Sequence, residues 1–143
     1  MHIGEILEAK SQRDVVTISP DAGVRELIAA LADHNIGALV VSSDGNRLDG
    51  IVSERDVVRH LHRDGTVINN VVSAIMTAAV ETCSPDDDLD AVMATMTDRR
   101  FRHIPVVVDG AVAGIVSIGD VVKHKIGQLQ FERDQLDSYV AQG

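Results

Sequence analysis

Aromatic side chains are nearly absent from this sequence. Phe101, Phe131 and Tyr139 are the only aromatic rings in 143 residues, and there is no tryptophan. A platform for single-stranded nucleic acid stacks bases on aromatic faces, so three scattered rings exclude one. Cysteine is equally scarce: Cys83 stands alone, which rules out an internal disulfide and a cysteine-rich zinc site. Positive charge is in deficit, with 13 Lys and Arg against 22 Asp and Glu and a net charge of −9. Such a surface repels a phosphate backbone. No apolar run approaches the roughly 20 residues of a membrane span, and the opening MHIGEILEAK holds no signal-peptide core. The expectation is a soluble, cytoplasmic protein with no nucleic-acid and no membrane partner. A small anionic ligand remains compatible with the acidic whole, because cations can be concentrated locally, as in Arg99-Arg100-Phe-Arg102-His103.

The chain also repeats itself. Gly50 to His60 reads GIVSERDVVRH and Gly114 to His124 reads GIVSIGDVVKH, identical at eight of eleven positions and 64 residues apart. Upstream, Thr17-Ile-Ser-Pro-Asp21 answers Thr82-Cys-Ser-Pro-Asp86 at an offset of 65, the difference being one residue lost in the second hairpin turn. Each half offers a strand (Val15 to Ile18, or Val80 to Cys83) stopped by Ser-Pro, with Pro20 and Pro85 as helix-start signals. A helix follows, with Val24, Leu27, Ile28, Leu31 and Ala32 at helical spacing, echoed by Leu89, Val92, Met93 and Met96. Two strands come next, Ala38 to Ser42 with Gly50 to Ser53, and Ile104 to Val108 with Gly114 to Ser117, turned at Asp44-Gly45 and Asp109-Gly110. A last helix begins at Glu54 or Ile118.

Each half therefore reads β-α-β-β-α, an α/β (α+β) arrangement. A unit of about 50 residues buries apolar strands poorly alone, so the two halves should pack together about a pseudo-twofold axis. The expected organisation is a first repeat over 1–65, a second over 66–125 with a linker at 66–77, and a C-terminal amphipathic helix over 126–143. In the linker, Ser73-Ala-Ile-Met76 echoes Gly4-Glu-Ile-Leu7. The tail carries Ile126, Leu129, Leu136, Tyr139 and Val140 at roughly helical spacing, which suits either docking or packing on its own domain.

Ser53-x-x-Asp56 and Ser117-x-x-Asp120 lie across strand-to-helix junctions. The plain reading is a capping box, which satisfies free N–H groups and sets a carboxylate at the positive end of the helix. The chain nevertheless uses Ser and Asp both times, and an Asp at such a junction can also accept hydrogen bonds from the vicinal hydroxyls of a ribose.

The doubled Gly-h-h-Ser-x-x-Asp signature resembles that of the CBS domain, named for cystathionine β-synthase. Two in tandem form a Bateman module. The resemblance runs from about Ile3 to Lys125, and the chain is similar to stand-alone two-repeat bacterial proteins. It implies a ligand sensor, with adenine nucleotides or relatives in the cleft between repeats: AMP foremost, then ADP, ATP, NAD(H) or S-adenosylmethionine. Under it, Asp56 and Asp120 hold ribose hydroxyls and Ser53 and Ser117 lie beside sugar or phosphate. The base slides against Thr17-Ile18 and Thr82-Cys83. Phosphate falls to the basic pair of Arg102-His103-Ile104-Pro105, where the first repeat has the uncharged Gly37-Ala38. Because family sites borrow across repeats, Asp56 should share a pocket with Arg102, His103 and Arg55, suited to a monophosphate. The other pocket, with Asp120 and Gly119, is left as empty, or as taking a less charged ligand or a dinucleotide. Allosteric signalling, a homodimer and an unidentified protein effector complete the expectation.

Catalysis is not expected. His60-Leu-His62 lacks the Cys or organised carboxylates of a metal site, Gly114-Ile-Val-Ser117-Ile-Gly119 has the wrong spacing for a nucleophile elbow, and no phosphate-binding glycine loop is present. No catalytic cofactor or metal is expected. The rival reading is a protein-docking module with vestigial pockets.

Overall fold

The computed structural model describes residues 1–10 and 15–142. A short helix α1 (Ile3–Ala9) opens the chain, followed by β1 (Thr17–Ile18), α2 (Val24–His34), β2 (Ala38–Val41), β3 (Gly50–Ser53) and α3 (Glu54–Arg63). Two 3₁₀ turns (Gly65–Asn69 and Val72–Ala74) lead to α4 (Leu89–Arg99), β4 (His103–Val108), β5 (Ala111–Ser117) and α5 (Ile118–Gln142). The expected α+β doubling is present. In the first sheet β1 runs parallel to β2, and β2 antiparallel to β3. In the second, β4 and β5 form a hairpin.

The counterpart of β1 is reduced to one bridge, Cys83 to Val106, closed by Cys83 N–H to Pro105 O at 3.0 Å and Val107 N–H to Cys83 O at 2.9 Å. The two hairpins also differ. Asp109 and Gly110 both take positive φ, 51° and 80°, the signature of a tight two-residue turn. In the first hairpin, residues 42–49 separate the paired Val41 and Gly50.

Neither proline starts a helix. Ser19-Pro20-Asp21-Ala22 and Ser84-Pro85-Asp86-Asp87 each close a turn, and the helices begin later, at Val24 and Leu89. The reason is visible in the carbonyls these turns present. Pro20 O accepts the N–H of Ser73 at 2.9 Å, and Pro85 O accepts the N–H of Gly4 at 2.9 Å. Ala22 O and Asp87 O likewise take the N–H groups of Val72 and Ile3, at 2.8 and 3.0 Å. The turn is thus a dock for a segment from elsewhere in the chain.

Those segments fill the cores. Val72 and Ile75 pack with Val24, Leu27, Leu39 and Val52 in the first half. Ile3 and Ile6, both 0% exposed, pack with Leu89, Met96, Ile104 and Val116 in the second. Burial of such aliphatic side chains contributes about 1.5–3 kcal/mol each. The echo between Gly4-Glu-Ile-Leu7 and Ser73-Ala-Ile-Met76 therefore marks two equivalent plugs, and α1, first in the chain, is built into the second core. Further links between halves are the bridge of Arg47 to Ala111 and the two 2.9 Å hydrogen bonds between Ile51 and Thr77.

The two motif glycines make room for the plugs. A Cβ on Gly50 would lie 2.8 Å from the Thr77 carbonyl oxygen and 3.0 Å from Met76 Sδ, whereas one on Gly114 would meet Leu7 Cδ2 at 2.7 Å. Backbone cannot yield as a leucine tip can. Gly50→Ala is therefore expected to lose about 1–3 kcal/mol through overpacking, and Gly114→Ala distinctly less, in urea unfolding followed by circular dichroism. Equal losses would show that the Thr77 carbonyl is not the obstacle.

Candidate functional site

Both junctions close as capping boxes. Ser53 N–H and Oγ donate to Asp56 Oδ2 at 2.9 and 3.1 Å, and Asp56 N–H donates to Ser53 Oγ at 3.2 Å. At the second junction Ser117 N–H donates to Asp120 Oδ2 at 2.9 Å and Asp120 N–H to Ser117 Oγ at 3.1 Å. Capping occupies one carboxylate oxygen in each case. Among the described residues nothing hydrogen-bonds Asp56 Oδ1, so capping leaves a second acceptor for a ligand.

Two cavities lie between the halves, and each draws on both. The first, about 230 Å³, is lined by Ser53, Arg55 and Asp56 of one half and by Val80, Arg102 and His103 of the other. It adjoins a groove of about 760 Å³ that shares Arg55, Arg59, Arg100, Phe101 and Arg102. The second, about 660 Å³, sets Ser117 and Asp120 beside Val15, Val16, Gly37 and Ala38. His103, Gly37 and Ala38 line both cavities.

Charge separates the two sites. In the first, Arg55, Arg59, Arg100 and Arg102 have no ion pair or side-chain hydrogen bond among the described residues, while Arg99 at the groove's edge is held by Glu81 at 3.1 Å. Arg100 ends α4 in the left-handed conformation, φ 59°, where Asn35 ends α2 at φ 52°. Asparagine tolerates that backbone; for arginine it costs roughly 1–2 kcal/mol.

The second carboxylate is already engaged. Lys10 Nζ lies 2.8 Å from Asp120 Oδ2 and donates to Ile115 O at 2.7 Å. Burial pushes the Asp120 carboxyl up, but the Lys10 ammonium and the Ser117 N–H and hydroxyl outweigh it and hold the group below its ordinary value. Lys10 stands three residues after Leu7, as Ala79 stands three after Met76. Ala79 lines the first cavity and Lys10 the second. The sequence alone did not single out Lys10, although aligning the two plugs would have found it.

Several expected site residues lie elsewhere. Ile18 and Cys83 are core residues, and Thr17 pairs with Val40 inside the sheet. Thr82 is exposed and lines neither cavity. Val15, Val16, Val80 and Glu81, which precede the sheet, occupy the walls instead. The Cys83 thiol is pushed up to about 12 by burial and then by the Asp87 charge, which leaves it inert. Ile104 and Pro105 are buried in β4, paired with Val116 and Ile115. Gly119 is exposed and lines neither cavity. The structure does bring together Ser53, Arg55, Asp56, Arg102 and His103, and separately Ser117 and Asp120.

Two copies of one unit enclose cavities lined by both copies, the architecture of a tandem pair. The model of the CBS domain matches residues 3–63 and again 72–127, so the chain belongs to the CBS-domain family. A CBS-domain-containing protein of Agrobacterium tumefaciens superposes with a TM-score of 0.82 at 40% identity, covering 87% of this chain and 99% of that one. The CBS domain pair of protein MJ0100, solved in complex with 5′-methylthioadenosine and S-adenosyl-L-methionine, superposes at 0.78 with 26% identity, over 90% and 98%. The mitochondrial CBS domain-containing protein CBSX3 of Arabidopsis thaliana is 37% identical over 128 residues, 86% of this chain. The chain spans 62% of that protein's length. No helix among the described residues is long and apolar enough to cross a membrane.

His103, shared by both cavities, titrates below the ordinary imidazole value of 6.5. Burial is the main cause; Asp120 and Glu54 oppose it, and Lys10 and Arg102 add to it. On acidification the unfolded chain takes up this proton first, so the contribution to stability is complete above pH 6.5 and lost as pH falls toward the depressed value. Unfolding free energy should therefore fall more steeply from pH 7.5 to 5.5, on the order of one to two units across an ordinary imidazole, in the wild type than in His103→Gln. Parallel pH profiles would contradict a depressed His103.

Proposed function

We propose that the chain is an allosteric sensor of a phosphate-bearing adenine nucleotide, held in the cavity of Asp56, and that it does no catalysis of its own. The observation that carries this reading is the meeting of an uncommitted carboxylate oxygen with four arginines that have no carboxylate partner among the described residues, in a chain of net charge −9. Asp56 Oδ1 accepts from the ribose hydroxyls. Arg102 and Arg55 present forked donors to the phosphate, Arg100 and Arg59 extend the cationic wall, and His103 gains a reason to take up a proton beside the anion. AMP is the smallest nucleotide that uses this set. The base lies against Val80 and Ile51.

The same arginines oppose a sulfonium. MJ0100 was solved with S-adenosyl-L-methionine, but the cationic centre of that ligand would be repelled in this cavity. In the second cavity Asp120 is bound by Lys10, so a ribose there must displace an ion pair; a dinucleotide such as NAD(H) suits its larger volume better than AMP does.

Because the first cavity takes its walls from both halves, a ligand there adds a link between them and biases their packing, or that of a cytoplasmic homodimer. By linkage, a protein effector that reads the altered surface shifts nucleotide affinity by the same factor. The alternative, a docking module with vestigial pockets, draws on the exposed apolar side chains of α5.

Thermal unfolding with AMP, ADP, ATP, NAD⁺, NADH and S-adenosylmethionine in excess separates these readings. Ligand at roughly 100 times its Kd adds about 2.7 kcal/mol, a rise of several degrees in Tm. The expected result is a rise with AMP, ADP or ATP and none with S-adenosylmethionine. Asp56→Ala should abolish the rise while costing only about 1 kcal/mol of capping stability. A cooperative transition that no adenine ligand moves would contradict the sensor and favour docking.

A further inference from the structure

Beyond Lys125, α5 leaves the body of the protein. It is one unbroken helix from Ile118 to Gln142, about 37 Å long at 1.5 Å per residue, not a separate tail helix folded back on its own domain. Its base is anchored by buried Val121 and by the 2.8 Å ion pair of Lys125 with Asp90. From Leu129 to Gln142 every residue is exposed.

Most of the exposed aliphatic side chains of α5 share one face, with Tyr139 beside it and Phe131 off it. Val122, Ile126, Leu129, Leu136 and Val140, between 41 and 68% exposed, follow each other at steps of four and three once Arg133 is placed in the series. That is the spacing of a two-stranded coiled-coil seam, several turns long and uncovered among the described residues. Charge is segregated along the same helix. After the capping Asp120, Lys123, His124 and Lys125 stand near its start, and Glu132, Asp134 and Asp137, with Arg133 among them, toward its end. Beyond Asp120, this order runs against the helix's own dipole, which favours anions at the start and cations at the end. Lys125 is taken up by Asp90, whereas Lys123 and Asp137 have no ion pair among the described residues.

We propose that this seam binds the same seam of a second copy of the chain in antiparallel orientation. Val122 then meets Val140 of the second copy, Ile126 meets Leu136, and Leu129 packs on the aliphatic stem of Arg133. Each basic start lies along the other copy's acidic end, and Lys123 flanks Asp137 of the second copy twice by symmetry. The antiparallel register brings Glu132 near its counterpart once, whereas the parallel alternative would set Glu132 against Asp137 twice. The proposal deepens the homodimer reading given above and does not depend on any nucleotide.

The full chain's dimer dissociation constant, measured by sedimentation equilibrium, tests it. Leu129→Asp with Leu136→Asp should leave a monomer whose Tm, governed by the two cores, is unchanged apart from the loss of dimer linkage. Lys123→Glu alone and Asp137→Lys alone should each weaken the dimer roughly tenfold, since a flanking pair is turned from attraction to repulsion twice. The double variant should recover wild-type association. Tighter association of Asp137→Lys would reveal a parallel pair and overturn the orientation. A dimer untouched by the two aspartates would place the interface elsewhere and overturn the tail while leaving a homodimer, and a monomeric wild type would overturn both.

Discussion

The exchange of leading segments between the two halves is the constraint on which the rest of this structure depends. Ile3 and Ile6 complete the second core and Val72 and Ile75 the first, so neither half holds its hydrophobic interior alone. The Ser-Pro turns supply the backbone carbonyls that receive these segments, and Gly50 and Gly114 supply the clearance. Local chemistry that looks like helix initiation in the sequence is thereby used for assembly. Once the plugs are seated, the two Ser-x-x-Asp junctions face the opposite half's helix-to-strand turn, and the cavities follow from that opposition.

Similar frames then carry dissimilar sites. The capping boxes at Asp56 and Asp120 agree closely in their hydrogen bonds, yet one carboxylate faces arginines that have no ion pair among the described residues and the other is bound by Lys10. Five substitutions between equivalent positions make the difference: Lys10 for Ala79, Asn35 for Arg100, Gly37 for Arg102, Ala38 for His103 and Gly119 for Arg55. Duplication fixed where a ligand can sit, and divergence fixed what charge it meets. His103, forming a wall of both cavities, is the one ionisable group among the described residues placed to feel occupancy of either.

Much of this was legible in the sequence because the repeat doubled each signal. Eight identical residues in eleven located both strand-to-helix junctions, and the period of Val24, Leu27 and Leu31 matched the buried face of α2. Pairing of Asp56 with Arg102 and His103 across the halves came from the family resemblance rather than from spacing. What the sequence hid was non-local. Nothing in the string tells that Ile3 lies in the core formed by residues 83–121, or that Val80 faces a cavity while Cys83, three residues on, is core. The tail was ambiguous for a different reason: its apolar spacing fits packing against its own domain as well as projection, and only the unbroken run of exposed residues decides between them.

The most direct test of the inequality of the two cavities is the number of AMP equivalents bound per chain, read by isothermal titration calorimetry on the wild type and on Lys10→Met. One equivalent in the wild type, with a second appearing once Lys10 no longer holds Asp120, is the expected result. Two equal equivalents in the wild type, or a stoichiometry that Lys10→Met leaves unchanged, would contradict the division of roles between Asp56 and Asp120.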